Sequence, residues 1–217
     1  MERAQISTDQ IGLVIACGCA SQFSTPAESC RIAAALGLSV TAFDMNSACS
    51  SFITQCHFLR NMKREALPDF VLVVNAENMA RTVDYSDPGT AVLWSDSTSA
   101  AILSTRVRSN TRIVCSTVAS DPAGWNKVTI RPGSHFRQDG SAVQAFAIRK
   151  SVETIARLRR SSQGARGIFI GHQANRRMLE SVCRRAGVLE TQHLFNVDRF
   201  GNGGAVPRRF FHRTGTR

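Results

Sequence analysis

Residues 70–75 read FVLVVN, a short and unbroken apolar run that is typical of a strand buried on both faces. Further strands are predicted for similar runs at 12–17, 39–43, 97–104, 112–118 and 167–171. Helices are predicted where apolar residues recur at helical spacing, namely after Pro26 and over 49–63, 142–158 and 175–186. The stretch 121–139, which is rich in Gly, Pro and polar residues, predicts a loop. Strands that alternate with helices indicate an α/β fold with a largely parallel sheet.

The composition is that of an ordinary globular chain, with 217 residues, 43% hydrophobic and 20% charged. No apolar run reaches the roughly 18 residues that span a bilayer. The first residues, Met1 to Ala4, lack a signal pattern. We therefore expect a cytoplasmic protein that does not bind membranes. The formal charge of +11 suits an acidic partner, whereas the few aromatic residues and the lack of a recognisable motif argue against nucleic acid.

The seven cysteines are an odd number, and without a secretion signal they indicate free thiols rather than disulfides. Cys17 and Cys19 are close in sequence, but no second pair stands at ligand spacing. The sequence therefore predicts no metal site.

Cys49 lies in a turn of small residues, 44–52 (DMNSACSSF), between a predicted strand and a predicted helix. A sulfur there is near the positive end of the helix dipole and the unpaired first-turn amides, and both favour the thiolate. The small neighbours leave room for a substrate. A buried structural cysteine remains the alternative, because cysteine is commonly buried.

Two more polar residues stand at predicted turns. His172, in 168–177 (IFIGHQANRR), ends a predicted strand just before a helix, and Asn202 lies in 196–204 (NVDRFGNGG). A lone histidine is more often structural, and a Gly-Asn-Gly-Gly sequence is usually only a turn. Three such elements in this order favour a catalytic group.

Together these segments resemble the β-ketoacyl-acyl-carrier-protein synthase III family of the thiolase-like superfamily. The resemblance runs from about residue 6 to residue 206. It is carried by 47–52 (SACSSF), 172–175 (HQAN) with Arg177, 198–202 (DRFGN), 79–84 (MARTVD), 88–90 (PGT) and 96–100 (DSTSA).

The resemblance implies a thiolase-like, layered α-β-α-β-α fold with two pseudo-duplicated halves. Residues 1–105 form the half with Cys49, and residues 106–217 form the half with His172 and Asn202. We expect the fold to be incomplete, without its first segments and its last segments. The arginine-rich tail after Pro207 departs from the family pattern and suggests a frameshift or a truncated gene.

The resemblance also implies a chemistry, in which Cys49, His172 and Asn202 form a catalytic triad. Cys49 attacks an acyl thioester such as acyl-CoA and holds the acyl group covalently. Malonyl-acyl-carrier-protein then loses CO2, and the resulting carbanion condenses with the acyl group while His172 and Asn202 stabilise the enolate oxygen. No cofactor is expected to stay bound. Pro88 replaces an arginine that stacks on adenine in some relatives, so transfer from an acyl carrier other than coenzyme A is also open.

Substrate-binding roles are expected for Thr25, Asn175 and Arg177. Arg177 matches a family arginine in a region that meets acyl carrier protein, although an ordinary solvated helix face is the alternative for Arg176 and Arg177. Thr25 is expected to line the acyl pocket across a homodimer interface and, being small, to admit longer or bulkier acyl chains. Three other functions stay open, namely a truncated non-catalytic remnant or partner subunit, a thiolase, and a simple acyltransferase.

Overall fold

The computed structural model describes residues 4–161 and 167–205. These residues pack into two units, which are described separately. The first unit contains 4–81, 96–119 and 203–205, and the second contains 82–95, 120–161 and 167–202. The pseudo-duplicated halves, 1–105 and 106–217, stay a prediction. The arginine-rich tail lies outside the described residues.

The first unit is built on a four-stranded sheet in the order β2-β1-β3-β4. The strands are β1 (Ile11–Cys17), β2 (Thr41–Asp44), β3 (Phe70–Glu77) and β4 (Ser97–Leu103). β1 pairs in parallel with both β2 and β3, whereas β4 runs antiparallel to β3. The predictions of strands at 12–17, 39–43, 70–75 and 97–104 are confirmed, and so is a sheet that is mainly parallel.

Helices α1 (Glu28–Ala35) and α2 (Ser51–Asn61) cover the sheet. Alternate strand residues face opposite sides, so each face has its own core. Leu13, Ile15, Val71 and Val73 pack with Leu59 of α2, while Val14, Leu72 and Val74 pack with Ala33 of α1. The sheet is therefore buried on both faces, as the apolar run in β3 predicts.

Strand β1 begins with an irregularity in its pairing to β3, between Ile11 and Leu13. Simple alternation would put these two residues on one face, yet Ile11 packs on the α1 side and Leu13 on the α2 side. Gly12 lies at the irregularity, where a Cβ would come within 2.4 Å of Pro68 Cβ. A bulge with a glycine at a close approach accounts for the switch.

The second unit contains α3 (Gly140–Ser161), α4 (Arg176–Ala186), α5 (Val197–Phe200) and the short antiparallel strands β5 (Val128–Thr129) and β6 (Arg137–Gln138). Ile148 of α3 packs with Met178 and Val182 of α4. The helices predicted after Pro26 and over 49–63, 142–158 and 175–186 are confirmed as α1 to α4. Short 3-10 helices occupy Thr8–Gln10, Arg64–Ala66, Met79–Thr82, Pro122–Gly124 and Glu190–Gln192.

Two predicted strands are wrong. Residues 112–118 join no sheet, and the carbonyls of Ile113 and Val114 accept hydrogen bonds from the Arg60 guanidinium of α2. Residues 167–171 make one isolated bridge, from Phe169 to His193. An apolar run becomes a strand only where a neighbouring strand can pair with it.

No helix within the described part of the chain combines the length and the apolar character that crossing a membrane requires.

Candidate active site

Cys49 lies in a tight turn between the end of β2 and the start of α2. Ala48, the residue before it, has a φ of +50°, in the left-handed region that L-residues with a side chain rarely adopt. Holding alanine there costs on the order of 1 kcal/mol, and such strain is common at functional sites. The turn thus presents Cys49 ahead of the first turn of α2, as the sequence predicts.

Hydrogen bonds to Ser51 fix the turn. The fully buried hydroxyl of Ser51 accepts from the Ser47 amide at 2.8 Å and from the Cys17 thiol at 3.0 Å, and it donates to the Ala48 carbonyl at 2.6 Å. Ser47 adds a hydrogen bond from its hydroxyl to Thr54 Oγ1 at 2.7 Å. Ser51 was not singled out in the sequence, because a serine in a small-residue turn has no feature that marks it as an anchor.

The Cys49 thiol differs from the sequence expectation. Burial and then the negative charge of Glu77 raise its pKa to about 11, and hydrogen bonding with its own backbone opposes them only in part. The net direction is therefore away from the thiolate, and the contribution expected from the helix terminus stays a prediction.

Glu77, at the end of β3, is a buried carboxylate close to Cys49. Its side chain is fixed by amide donors on two segments, the Cys19 amide at 2.9 Å and the Ala205 amide at 3.1 Å. Gly204 packs so closely that a Cβ there would lie 2.8 Å from the Glu77 side chain. Glu77 therefore joins the end of β1 to residues 203–205. No local sequence pattern marks Glu77 for this role.

His172 belongs to the second unit, in the segment between Phe169 and α4. His172 keeps accessible surface, yet the surrounding protein atoms desolvate its charged form and lower the imidazole pKa to about 4. The imidazole is consequently neutral near pH 7. A neutral imidazole has one N–H donor and one acceptor nitrogen.

Gln173, which sequence reasoning passed over, connects the His172 segment to the segment that leads to Asn202. Its buried side-chain carbonyl accepts from the Asn196 amide at 2.8 Å and from the Val197 amide at 3.1 Å, and its amide donates to the Gly171 carbonyl at 2.8 Å. These bonds fix the two segments against each other within the second unit.

Asn202 is 5% exposed, and its backbone pairs with residues 93–95. Its amide donates to the Leu93 carbonyl and its carbonyl accepts from the Ser95 amide, both at 2.9 Å. Gly201 makes this possible with φ +64° and ψ −164°, a conformation that is essentially limited to glycine. The Gly-Asn turn is therefore a specific structural element of this unit.

Helix α4 begins beside an open depression of about 420 Å³, lined by Asn175, Arg176, Arg177 and Asp198 among others. Asn175 caps the helix by accepting from the Met178 amide at 3.0 Å. Arg176 pairs with Glu180 at 2.8 Å and lies over the Phe195 ring. Arg177 is exposed and has no ion pair within the described residues, so its charge is available to a partner.

The remaining predicted residue, Thr25, is exposed in the loop before α1. The structure thus brings the His172 and Asn202 segments together through Gln173, whereas Cys49 and Thr25 belong to the first unit. The triad as a whole and the binding roles of Thr25, Asn175 and Arg177 stay predictions.

Comparison with known proteins gives the family. Residues 43–122 match the model for 3-oxoacyl-[acyl-carrier-protein] synthase III, and residues 165–207 match the model for the C-terminal domain of the same family. The chain is 30% identical to β-ketoacyl-[acyl-carrier-protein] synthase III of Clostridioides difficile (strain 630), covering 95% of this chain and 68% of the relative. The chain therefore belongs to the 3-oxoacyl-[acyl-carrier-protein] synthase III family.

Two more comparisons agree. The enzyme of the same name from Campylobacter curvus is 29% identical, covering 93% of this chain and 66% of the relative. The crystal structure of 3-oxoacyl-[acyl-carrier-protein] synthase III from Aquifex aeolicus VF5 superposes with a TM-score of 0.84 at 23% identity, covering 93% of this chain and 66% of that chain. The predicted thiolase-like fold is confirmed, and this chain spans about two thirds of the length of these relatives.

Proposed function

We propose that this protein is a condensing acyltransferase of the 3-oxoacyl-[acyl-carrier-protein] synthase III type. The single observation that carries the proposal is the strained, hydrogen-bonded turn that presents Cys49 at the start of α2. Such a turn has a structural cost, which is expected where a nucleophile must be presented. Family membership supplies the reaction class.

The first half-reaction is a thioester exchange. The Cys49 sulfur bonds to the acyl carbon, the carbon–sulfur bond of the donor breaks, and the donor thiol leaves with a proton. Because the pKa of Cys49 is about 11, its proton needs an acceptor at neutral pH. We assign this role to His172, whose pKa of about 4 leaves the imidazole neutral with a nitrogen lone pair. Because so low a pKa makes the imidazole a weak base, the proton moves only as the sulfur bonds to the acyl carbon.

The second half-reaction is a decarboxylative condensation. Malonyl-acyl-carrier-protein loses CO2, and the electron pair left on carbon attacks the acyl-Cys49 carbonyl. The Cys49 sulfur leaves and a 3-ketoacyl product forms. The charge that develops on the thioester oxygen is stabilised by hydrogen bonds from the His172 imidazole and the Asn202 amide, which are the donors we assign to this oxygen.

The substrates and partners follow from the same proposal. Acyl carrier protein is the partner that delivers malonyl groups. We assign Arg177, which has no ion pair within the described residues and lies beside the depression at α4, to contact its acidic surface. Acyl-CoA is the first donor to test. In this proposal Thr25 lines the acyl pocket across a homodimer interface. The expected location of the protein is the cytoplasm. The protein holds no permanent cofactor for this chemistry.

Intact-mass measurement tests the proposal. The protein is incubated with acyl-CoA or acyl-acyl-carrier-protein donors of several chain lengths. We expect a mass increase of one acyl group that is absent in Cys49→Ala. The increase should remain in the control Cys30→Ser, which removes an exposed thiol elsewhere in the same unit. If Cys49 is acylated but no 3-ketoacyl product forms when malonyl-acyl-carrier-protein is added, the protein is a simple acyltransferase and not a condensing enzyme. No adduct with any donor would identify a non-catalytic family member.

A further inference from the structure

A cluster of three potential metal ligands lies at the carboxyl end of the parallel strands, outside the proposed triad. The sulfurs of Cys17 and Cys19 and a carboxylate oxygen of Glu77 all lie within 4.8 Å of one another. We propose that this cluster is a binding site for a thiophilic divalent cation of the Zn²⁺ class. The proposal goes beyond the condensing activity and does not depend on it.

The fold explains why residues so distant in sequence meet. Cys17 pairs with Asn75 in the parallel register of β1 and β3, so Glu77, two residues further along β3, points to the same face of the sheet. The chain then turns at Gly18, where a Cβ would lie 2.7 Å from the Ala76 carbonyl oxygen, and brings Cys19 back over Glu77. The spacing of Cys17 and Cys19 does not reveal the site, because the third ligand comes from another strand.

The distances suit a metal centre. Cys19 Sγ lies 3.3 Å from Glu77 Oε1. Two ligands of a tetrahedral Zn²⁺, at about 2.3 Å for sulfur and about 2.0 Å for oxygen, stand about 3.5 Å apart. Two sulfurs and one oxygen are donors that Zn²⁺ accepts, and three protein ligands leave a fourth position for water or an exogenous thiol.

The surroundings of the cluster also favour a cation. The Cys19 and Ala205 amides hold the Glu77 carboxylate in place, as outer hydrogen bonds commonly do for metal-binding carboxylates. The ion would displace the thiol protons to solvent, and two thiolates with one carboxylate would more than offset its charge, which leaves the site with a net charge of about −1.

Cobalt titration tests the site in the full chain under reducing, anaerobic conditions. We expect one equivalent of Co²⁺ to bind with a thiolate-to-cobalt charge-transfer band and to be displaced by Zn²⁺. Cys19→Ser and Glu77→Gln should each weaken Co²⁺ binding at least about tenfold, because each removes one ligand of three. The matched controls Cys30→Ser and Cys115→Ser, which alter exposed thiols, should leave the affinity unchanged.

Three results would overturn the proposal. These are the absence of a thiolate band in the wild-type protein, a band that persists in the Cys17→Ser, Cys19→Ser double variant, and a band that is lost in Cys49→Ala. If a variant fails to fold, the proposal is tested on the wild-type protein by thiol alkylation with and without Zn²⁺. Zn²⁺ should slow alkylation of Cys19 at least about tenfold relative to Cys30 in peptide mass spectra, and equal rates with and without Zn²⁺ would mean that these are ordinary buried thiols.

Discussion

At the level of single residues, the thiol of Cys49 is the group whose environment most limits its chemistry. A pKa of about 11 leaves only about one molecule in ten thousand as the thiolate at pH 7. The neighbouring Glu77 charge contributes to this shift after burial. The proposed site must therefore remove the proton of the Cys49 thiol for acylation to occur.

The alkylation rate of Cys49 should consequently depend steeply on pH. Below a pKa of about 11 the thiolate fraction grows about tenfold per pH unit, so iodoacetamide labelling of Cys49 should rise about tenfold per unit between pH 7 and pH 10. Glu77→Gln removes a negative charge and should raise the rate at pH 7 to 9. Peptide mass spectrometry gives the rate, and labelling of the exposed Cys30 in the same samples monitors the reagent. A Cys49 rate that levels off below pH 9 would contradict the prediction.

Sequence reasoning identified Cys49, His172 and Asn202 from their turns, but it missed the residues that hold them. Ser51, Gln173 and Glu77 act through hydrogen bonds to backbone atoms, and two of these bonds join segments distant in sequence. A side chain that bonds a remote amide leaves no local pattern. The raised pKa of Cys49 was missed as well, because neither burial, its main cause, nor the charge of Glu77 on another strand leaves a local pattern.

At the level of elements, the turn before α2 depends on Ser51. Ser51→Ala should lower the free energy of unfolding by about 1–3 kcal/mol, because the Ser47 amide and the buried Cys17 thiol both lose their hydrogen bond to the fully buried Ser51 hydroxyl. Urea denaturation measures the change.

Ser50→Ala is the matched control for this change. The Ser50 hydroxyl bonds the Ser47 carbonyl at 2.8 Å, but Ser50 is exposed, so water can replace it. We expect a loss of less than about 0.5 kcal/mol. Equal losses for Ser50→Ala and Ser51→Ala would show that the buried hydroxyl does not anchor the turn.

The elements also show where apolar patterns suffice to predict structure. The FVLVVN run is a strand because β1 and β4 pair with it on both sides. Residues 112–118 (RIVCSTV) are also rich in β-branched residues, but the carbonyls of Ile113 and Val114 accept from Arg60, and Val114 is 77% exposed. An apolar sequence pattern shows that a segment tends to be buried. Whether the segment is buried depends on the strands and helices that pack against it.

At the level of the whole molecule, the formal charge of +11 should govern encounters with an acidic partner. If acyl carrier protein is that partner, the apparent KM for it should rise steeply with ionic strength. Arg177→Glu should raise the KM about tenfold at low salt, and Arg64→Glu, an exposed charge in the first unit, should change it far less. Steady-state kinetics at two salt concentrations measures both. Equal effects of the two substitutions would show that the charge acts without a preferred contact.

The bond between Glu77 and the Ala205 amide joins residues 128 positions apart. Residues 203–205 belong to the first unit, although they follow the whole described second unit in the chain. During synthesis the first unit therefore emerges early but lacks its last segment until translation has passed residue 205. Until then the Glu77 carboxylate has only the Cys19 groups as donors among its bonds described above. The full set of hydrogen bonds that holds Glu77 should thus be acquired only after residue 205 has been translated, later than the pairing of the sheet strands.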